Sequence, residues 1–206
     1  MMKISFCFSG QPRISLDVLK NHQKIFLSNV KTSLHLWWHK NHMGKVIRCH
    51  ASEKYPFENL DKKMIHAYSP ISFEIEDYKD FDLSFYKFHN YETWGKELSQ
   101  KFYDIFTPLM IYSFLSQSYS VMRSVQLSYE KEKFDCLARI RSDVIFLKDV
   151  IKEIKSLDLK DDEIYFQSSM QGGHLYSGEH PGNPCDWFYC GTPKAVLTYS
   201  EMWHNL

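Results

Sequence analysis

Between Arg139 and Phe146 the chain reads Arg-Ile-Arg-Ser-Asp-Val-Ile-Phe, an apolar run of β type that carries two guanidinium groups and a carboxylate. A strand buried in an α/β sheet is expected to be close to continuous Val, Ile, Leu and Phe. Charges inside it are costly to desolvate unless they are paired or sit where the strand leaves the sheet. That exit is where open α/β sheets bind ligands. Arg139, Arg141 and Asp143 are spaced by two, so an extended strand projects all three from one face and leaves Ile140, Ser142 and Val144 for the core. Two cations and an anion there suit a phosphate and a divalent ion, with Asp143 offering the oxygen donor that Mg2+ or Mn2+ prefers. The competing reading is a buried ion-pair network that fastens neighbouring strands.

A second constellation is Ser9-Gly10-Gln11-Pro12-Arg13, directly after a short apolar run. Glycine there lets the backbone approach a ligand, and the N–H groups that follow can face an anion. Arg13 adds a planar fork suited to phosphate. The pattern is neither Gly-x-Gly-x-x-Gly nor a P-loop, which sets aside dinucleotide and Walker-type binding. Its plain alternative is a tight turn with an exposed arginine. A third is Asp186-Trp187-Phe188-Tyr189-Cys190-Gly191, where Asp186 precedes an aromatic strand. That carboxylate can act as a base or orient a sugar hydroxyl, or it can simply cap a turn. His174, His180, Cys185 and Cys190 fit the spacing of structural zinc sites only loosely.

The elements that must position these groups follow from periodicity. Lys3–Ser9 reads as a first strand, Leu16–Asn29 as a helix, Ser33–Trp38 as a second strand and Ser72–Ile75 as a third. Pro108 opens the clearest helix, which runs to about Lys131, with Ile111, Leu115, Met122, Val125 and Tyr129 as its apolar face. Strand Cys136–Phe146, helix Val150–Leu157, strand Glu163–Gln167, a Gly/Pro loop, strand Trp187–Cys190 and helix Pro193–Trp203 complete the series. Alternating helices and apolar strands predict a layered α/β domain with a mostly parallel sheet. The 206 residues suit a single domain spanning 1–206, and an ending in or just after a helix is what C-terminal truncation would leave.

Lys plus Arg and Asp plus Glu both number 25, so no global field marks a nucleic-acid or membrane-surface binder. No apolar run approaches the roughly 20 residues of a membrane span. The N-terminal strand is too short for a secretory h-region and lacks a small-residue cleavage site. The five cysteines are odd in number and form no Cys-x-x-Cys, as expected of reduced thiols in a cytoplasmic compartment.

Together the pieces resemble a group of glycosyltransferase-like proteins found in viruses and bacteria. In that group a first strand ends in Ser-Gly-Gln-Pro-Arg, a His and a Trp lie on the second strand, and a long helix leads into Arg-x-Arg-x-Asp. An Asp-x-Phe-x-x-Gly block follows. The matches here are Ser9 to Arg13, His35 with Trp37 or Trp38, Arg139 to Asp143, and Asp186 to Gly191. The resemblance implies a Rossmann-like three-layer sandwich of glycosyltransferase A type, placed in the host cytoplasm if the chain is viral. It implies a nucleotide-sugar donor, held by Ser9, Gly10, Gln11, Arg13, Arg139 and Arg141, and a glycan or other hydroxyl acceptor. By the same likeness Asp143 stands in for the acidic metal motif, with manganese or magnesium as cofactor, and Asp186 faces donor or acceptor as the catalytic group. The chain departs from the usual Asp-x-Asp: Val144 and Ile145 follow Asp143, leaving Asp149 or His204 as candidates for a further ligand. The rival readings are a non-catalytic nucleotide- or glycan-binding module and a structural zinc protein.

Overall fold

The computed structural model describes residues 2–10, 16–26, 30–37, 60–76, 108–168, 175–176 and 184–202. Seven strands and five helices are found among them. The strands are β1 (Ile4–Gly10), β2 (Val30–Trp37), β3 (Ser72–Glu76), β4 (Cys136–Arg141), β5 (Ile164–Ser168), β6 (Leu175–Tyr176) and β7 (Pro184–Gly191). The helices are α1 (Leu16–Phe26), α2 (Leu60–Tyr68), α3 (Pro108–Lys131), α4 (Val150–Lys155) and α5 (Pro193–Met202).

All seven strands join one sheet in the order β3-β2-β1-β4-β7-β5-β6. The ladders β3–β2, β2–β1 and β1–β4 are parallel, whereas β4–β7, β7–β5 and β5–β6 are antiparallel. Only β7 and β6 therefore run against the other five. The sheet is mostly parallel, as expected, but its parallel ladders are confined to the β3-to-β4 half.

β1 sits near the middle and is buried on both faces, which explains its unbroken run of small and apolar residues. Ile4, Phe6 and Phe8 face a core completed by Val18 of α1, Met64 of α2 and Val150, Ile151 and Ile154 of α4. Phe6, Phe146 and Phe188 meet there with ring centroids 5.4–6.4 Å apart. Each such ring, once buried, contributes about 1.5–3 kcal/mol. On the opposite face Cys7 joins Leu137, Tyr189, Val125 of α3 and Val196 of α5. Helices thus cover both faces of the sheet, the Rossmann-like layering expected.

Two elements depart from expectation. β4 ends at Arg141, because the Val144 N–H bonds the Arg141 carbonyl at 3.2 Å and closes a turn through Ser142 and Asp143. In α3 serines share the face turned to the sheet with apolar residues. Met122 and Val125 are buried as predicted, but Tyr129 is half exposed, while Ser120, Ser124 and Ser128, one turn apart, are also buried; the Ile111 and Leu115 side chains lie outside the described residues. Small hydroxyl side chains let the helix approach the strands closely and meet their polar groups. Ser5 donates to Ser128 (2.7 Å), Ser128 to Ser33 (2.9 Å), and Ser33 to the Ser124 carbonyl (2.7 Å).

Candidate functional site

In an open α/β sheet, ligands bind beyond the carboxyl ends of the strands where the strand order reverses. Here the order reverses at β1, which leads to β2 on one side and has β4 on the other. The register aligns Ser9 with Arg141 on β4 and with His35 on β2, and His35 with Glu74 on β3. A polar row Arg141–Ser9–His35–Glu74 therefore crosses four parallel strands at their carboxyl ends, on the α3 face. With strands about 4.8 Å apart, Arg141 and His35 are anchored about 10 Å from each other. Gly10 ends β1 at φ +95°, and its N–H donates to Ser120 Oγ at 2.7 Å.

Arg139 and Arg141 share a face but not an environment. Arg139 is 1% exposed, opposite Tyr189 of β7, and its Nε donates to Ser9 Oγ at 3.3 Å. Burial pushes the Tyr189 phenol's pKa up, and the nearby Arg139 charge partly opposes that shift. Arg141 lies at the rim with its side chain 30% exposed, and its fork grips Asp143 through Nε–Oδ1 and Nη2–Oδ2 bonds of 2.6 and 2.8 Å. Asp143 is thus held by its own neighbour across the turn.

Helix α1 fixes the loop that continues from this pair. Asn21 donates from Nδ2 to the Phe146 carbonyl (2.8 Å) and accepts the Phe146 N–H (2.9 Å), imitating one rung of a ladder. His22 Nε2 stands 2.6 Å from the Val144 carbonyl, and Nδ1 stands 2.7 Å from the Tyr68 hydroxyl. A carbonyl only accepts, so Nε2 carries the proton and Tyr68 donates to Nδ1. Burial lowers the His22 pKa to about 4, against the small opposing effect of the Val144 bond.

At the other end of the row, His35 Nε2 lies 3.5 Å from Glu76 Oε1 and 3.9 Å from Glu74 Oε2. Among the described residues this is the one group of three or more His, Cys, Asp and Glu side chains whose ligand atoms gather as a metal ion requires. Tyr119 donates to Glu76 Oε1 (2.9 Å), and Arg123 grips Glu74 through Nε (3.1 Å) and Nη2 (2.5 Å). Burial holds His35 below its usual pKa, while the two glutamates pull the other way. Burial and the Glu76 bond push Tyr119 up to about 12.

Of the residues singled out from sequence, Ser9, Gly10, Arg139, Arg141 and Asp143 are brought together at the β1–β4 switch point. Gln11 and Arg13 lie outside the described residues, as do His174, His180 and His204. Asp186 lies near the start of β7, which runs antiparallel to β4, so its backbone is at the same end of the sheet as Asp143. Asp149 caps α4, accepting the Lys152 N–H at 3.0 Å. Around Asp143 the described residues gather no second set of metal ligands. Cys190 is a buried free thiol inside β7, as are Cys7 and Cys136 in their strands. Sequence reasoning missed Glu74, Glu76, Ser120 and Arg123. The available signal was Glu74-Ile75-Glu76, carboxylates spaced by two on a strand, beside a histidine placed in an apolar one. No protein-family model and no curated protein matches the chain.

Proposed function

We propose that the protein transfers a sugar from a nucleotide-sugar donor to a glycan or other hydroxyl acceptor, on a glycosyltransferase A-type fold. The observation that carries this reading is the register of Ser9 against Arg141, which sets the two sequence motifs side by side where the strand order reverses. Gly10, Gln11 and Arg13 of the first motif would receive the nucleotide. Arg141, at the rim, would meet the diphosphate oxygens, and Arg139 would act from below by holding Ser9. In the transfer, an acceptor oxygen forms a bond to the anomeric carbon while the bond from that carbon to the diphosphate breaks. The diphosphate leaves with the electron pair, and guanidinium groups offset the charge that develops on it. Asp186 is our candidate to take the acceptor proton. The residues described around Asp143 do not by themselves make a metal site, so no step is assigned to an ion there.

One observation favours a second reading, a nucleotide-binding module without turnover: the Asp143 carboxylate is already neutralised by Arg141. The two readings separate on Asp143→Asn. A module gains affinity for UDP, because Arg141 is released toward phosphate. A transferase that uses the carboxylate loses UDP-sugar turnover at least a hundredfold. Hydrolysis of UDP-sugars with manganese, followed beside UDP binding in both proteins, provides the measurement. Failure of the wild type to bind UDP or turn over UDP-sugars would remove both readings.

A further inference from the structure

We propose that His35 Nε2, Glu76 and Glu74 form a binding site for a first-row divalent transition-metal ion, with Ser120 as the residue that positions the imidazole. The proposal concerns a different place from Asp143 and does not depend on sugar transfer.

Three features carry it. The first is the tautomer of His35. The Ser120 hydroxyl stands 3.1 Å from the His35 carbonyl, and in the tautomer that a metal requires it donates its one proton there. Its lone pairs then receive the Gly10 N–H at 2.7 Å and the His35 Nδ1–H at 2.8 Å. In that tautomer Nε2 presents its lone pair on the side of the two carboxylates, the arrangement found when the other ring nitrogen of a metal-ligating histidine is held by a hydrogen bond.

The second is distance. His35 Nε2 stands 3.5 Å from Glu76 Oε1 and 3.9 Å from Glu74 Oε2. Ligands held about 2.1 Å from one ion lie about 3.0–4.2 Å from each other. The observed spacings fall inside that range.

The third is the outer support. Tyr119 and Arg123 hold Glu76 and Glu74 in place, and a carboxylate oxygen keeps lone-pair capacity beyond one hydrogen bond. Glu74 and Glu76 are about one-third exposed, which leaves a path for the ion and its remaining waters. A nitrogen donor beside two carboxylates selects manganese or zinc over magnesium and calcium.

Mn2+ alone, titrated into the full chain and followed by loss of the free-ion paramagnetic resonance signal, tests the site. We expect one ion per chain. Glu76→Gln, at a partly exposed position on the edge strand, weakens binding at least tenfold, and His35→Gln does the same. Ser120→Ala weakens it about ten- to hundredfold, as second-sphere substitutions do, and Asp143→Asn leaves it unchanged. Absence of saturable binding would overturn the proposal, as would binding insensitive to Glu76→Gln or binding lost only in Asp143→Asn. Thermal unfolding of each variant identifies any that fails to fold. Glu76→Gln then decides the matter if His35→Gln does not fold.

Discussion

His22 couples the loop after the candidate site to pH. The unfolded imidazole takes its proton near pH 6.5, whereas the buried one, bonded to Val144 and Tyr68, resists until about pH 4. In that window the unfolded chain binds more protons, so stability is full above pH 6.5 and falls as pH drops toward 4. The loss is on the order of 3 kcal/mol. Urea unfolding midpoints between pH 7 and 4 check this, and in His22→Gln that part of the slope should vanish; an unchanged slope refutes it. Gly10 makes a second test of a single residue. Its φ is +95°, and an added Cβ would meet nothing within 4 Å. Gly10→Ala is therefore penalised by backbone strain alone, about 1–2 kcal/mol, measurable as a lowered urea midpoint. A neutral effect would mean that the turn relaxes freely.

Helix α3 shows what a periodic sequence reveals and what it hides. The Pro108 start and the run to Lys131 were legible because proline and apolar spacing are local signals. Its orientation was legible only in part: Met122 and Val125 are buried as the apolar spacing predicts, but the serines beside them score as polar and so as solvent-facing. Here they face the sheet, since Ser5, Ser33 and His35 give them partners across it. The same tertiary pairing explains β3: Glu74 and Glu76 turn toward α3 while Phe73 and Ile75 are exposed, the reverse of what apolarity alone suggests. The end of β4 was overrun because Val144, Ile145 and Phe146 continue the apolar pattern through a turn that only the Arg141 carbonyl bond defines. If the hydroxyl relay is what seats α3, Ser128→Ala should cost about 1–2 kcal/mol, because Ser5 and Ser33 each lose a buried partner. Chemical denaturation measures the loss. A change below 0.5 kcal/mol, roughly the scale of an ordinary surface substitution, would show that the relay contributes little.

Across the whole molecule, residues far apart in sequence meet because parallel strands bring all their carboxyl ends to one edge. Ser9, His35, Glu74 and Arg141 come from four strands and lie in one row, and the antiparallel β7 adds the backbone of Asp186 at that edge. The motifs at Ser9 and Arg141 were readable in the sequence, whereas their adjacency and the inclusion of Glu74 came only from register. One hydroxyl, Ser120, bonds both Gly10 at the proposed nucleotide turn and His35 at the proposed ion site. Ligands at the two ends should therefore be coupled, and the coupling must be reciprocal. A saturating ligand present at about a hundredfold its Kd raises unfolding free energy by about 2.7 kcal/mol. With UDP and Mn2+ added together, the stabilisation should exceed the sum of the separate effects by about 1 kcal/mol or more. Ser120→Ala, taken to saturation with both ligands, should bring the sum back to simple additivity. Strict additivity in the wild type would show instead that the two ends of the row act independently, and that the Ser120 hydroxyl only fastens β1 and β2 to the helix.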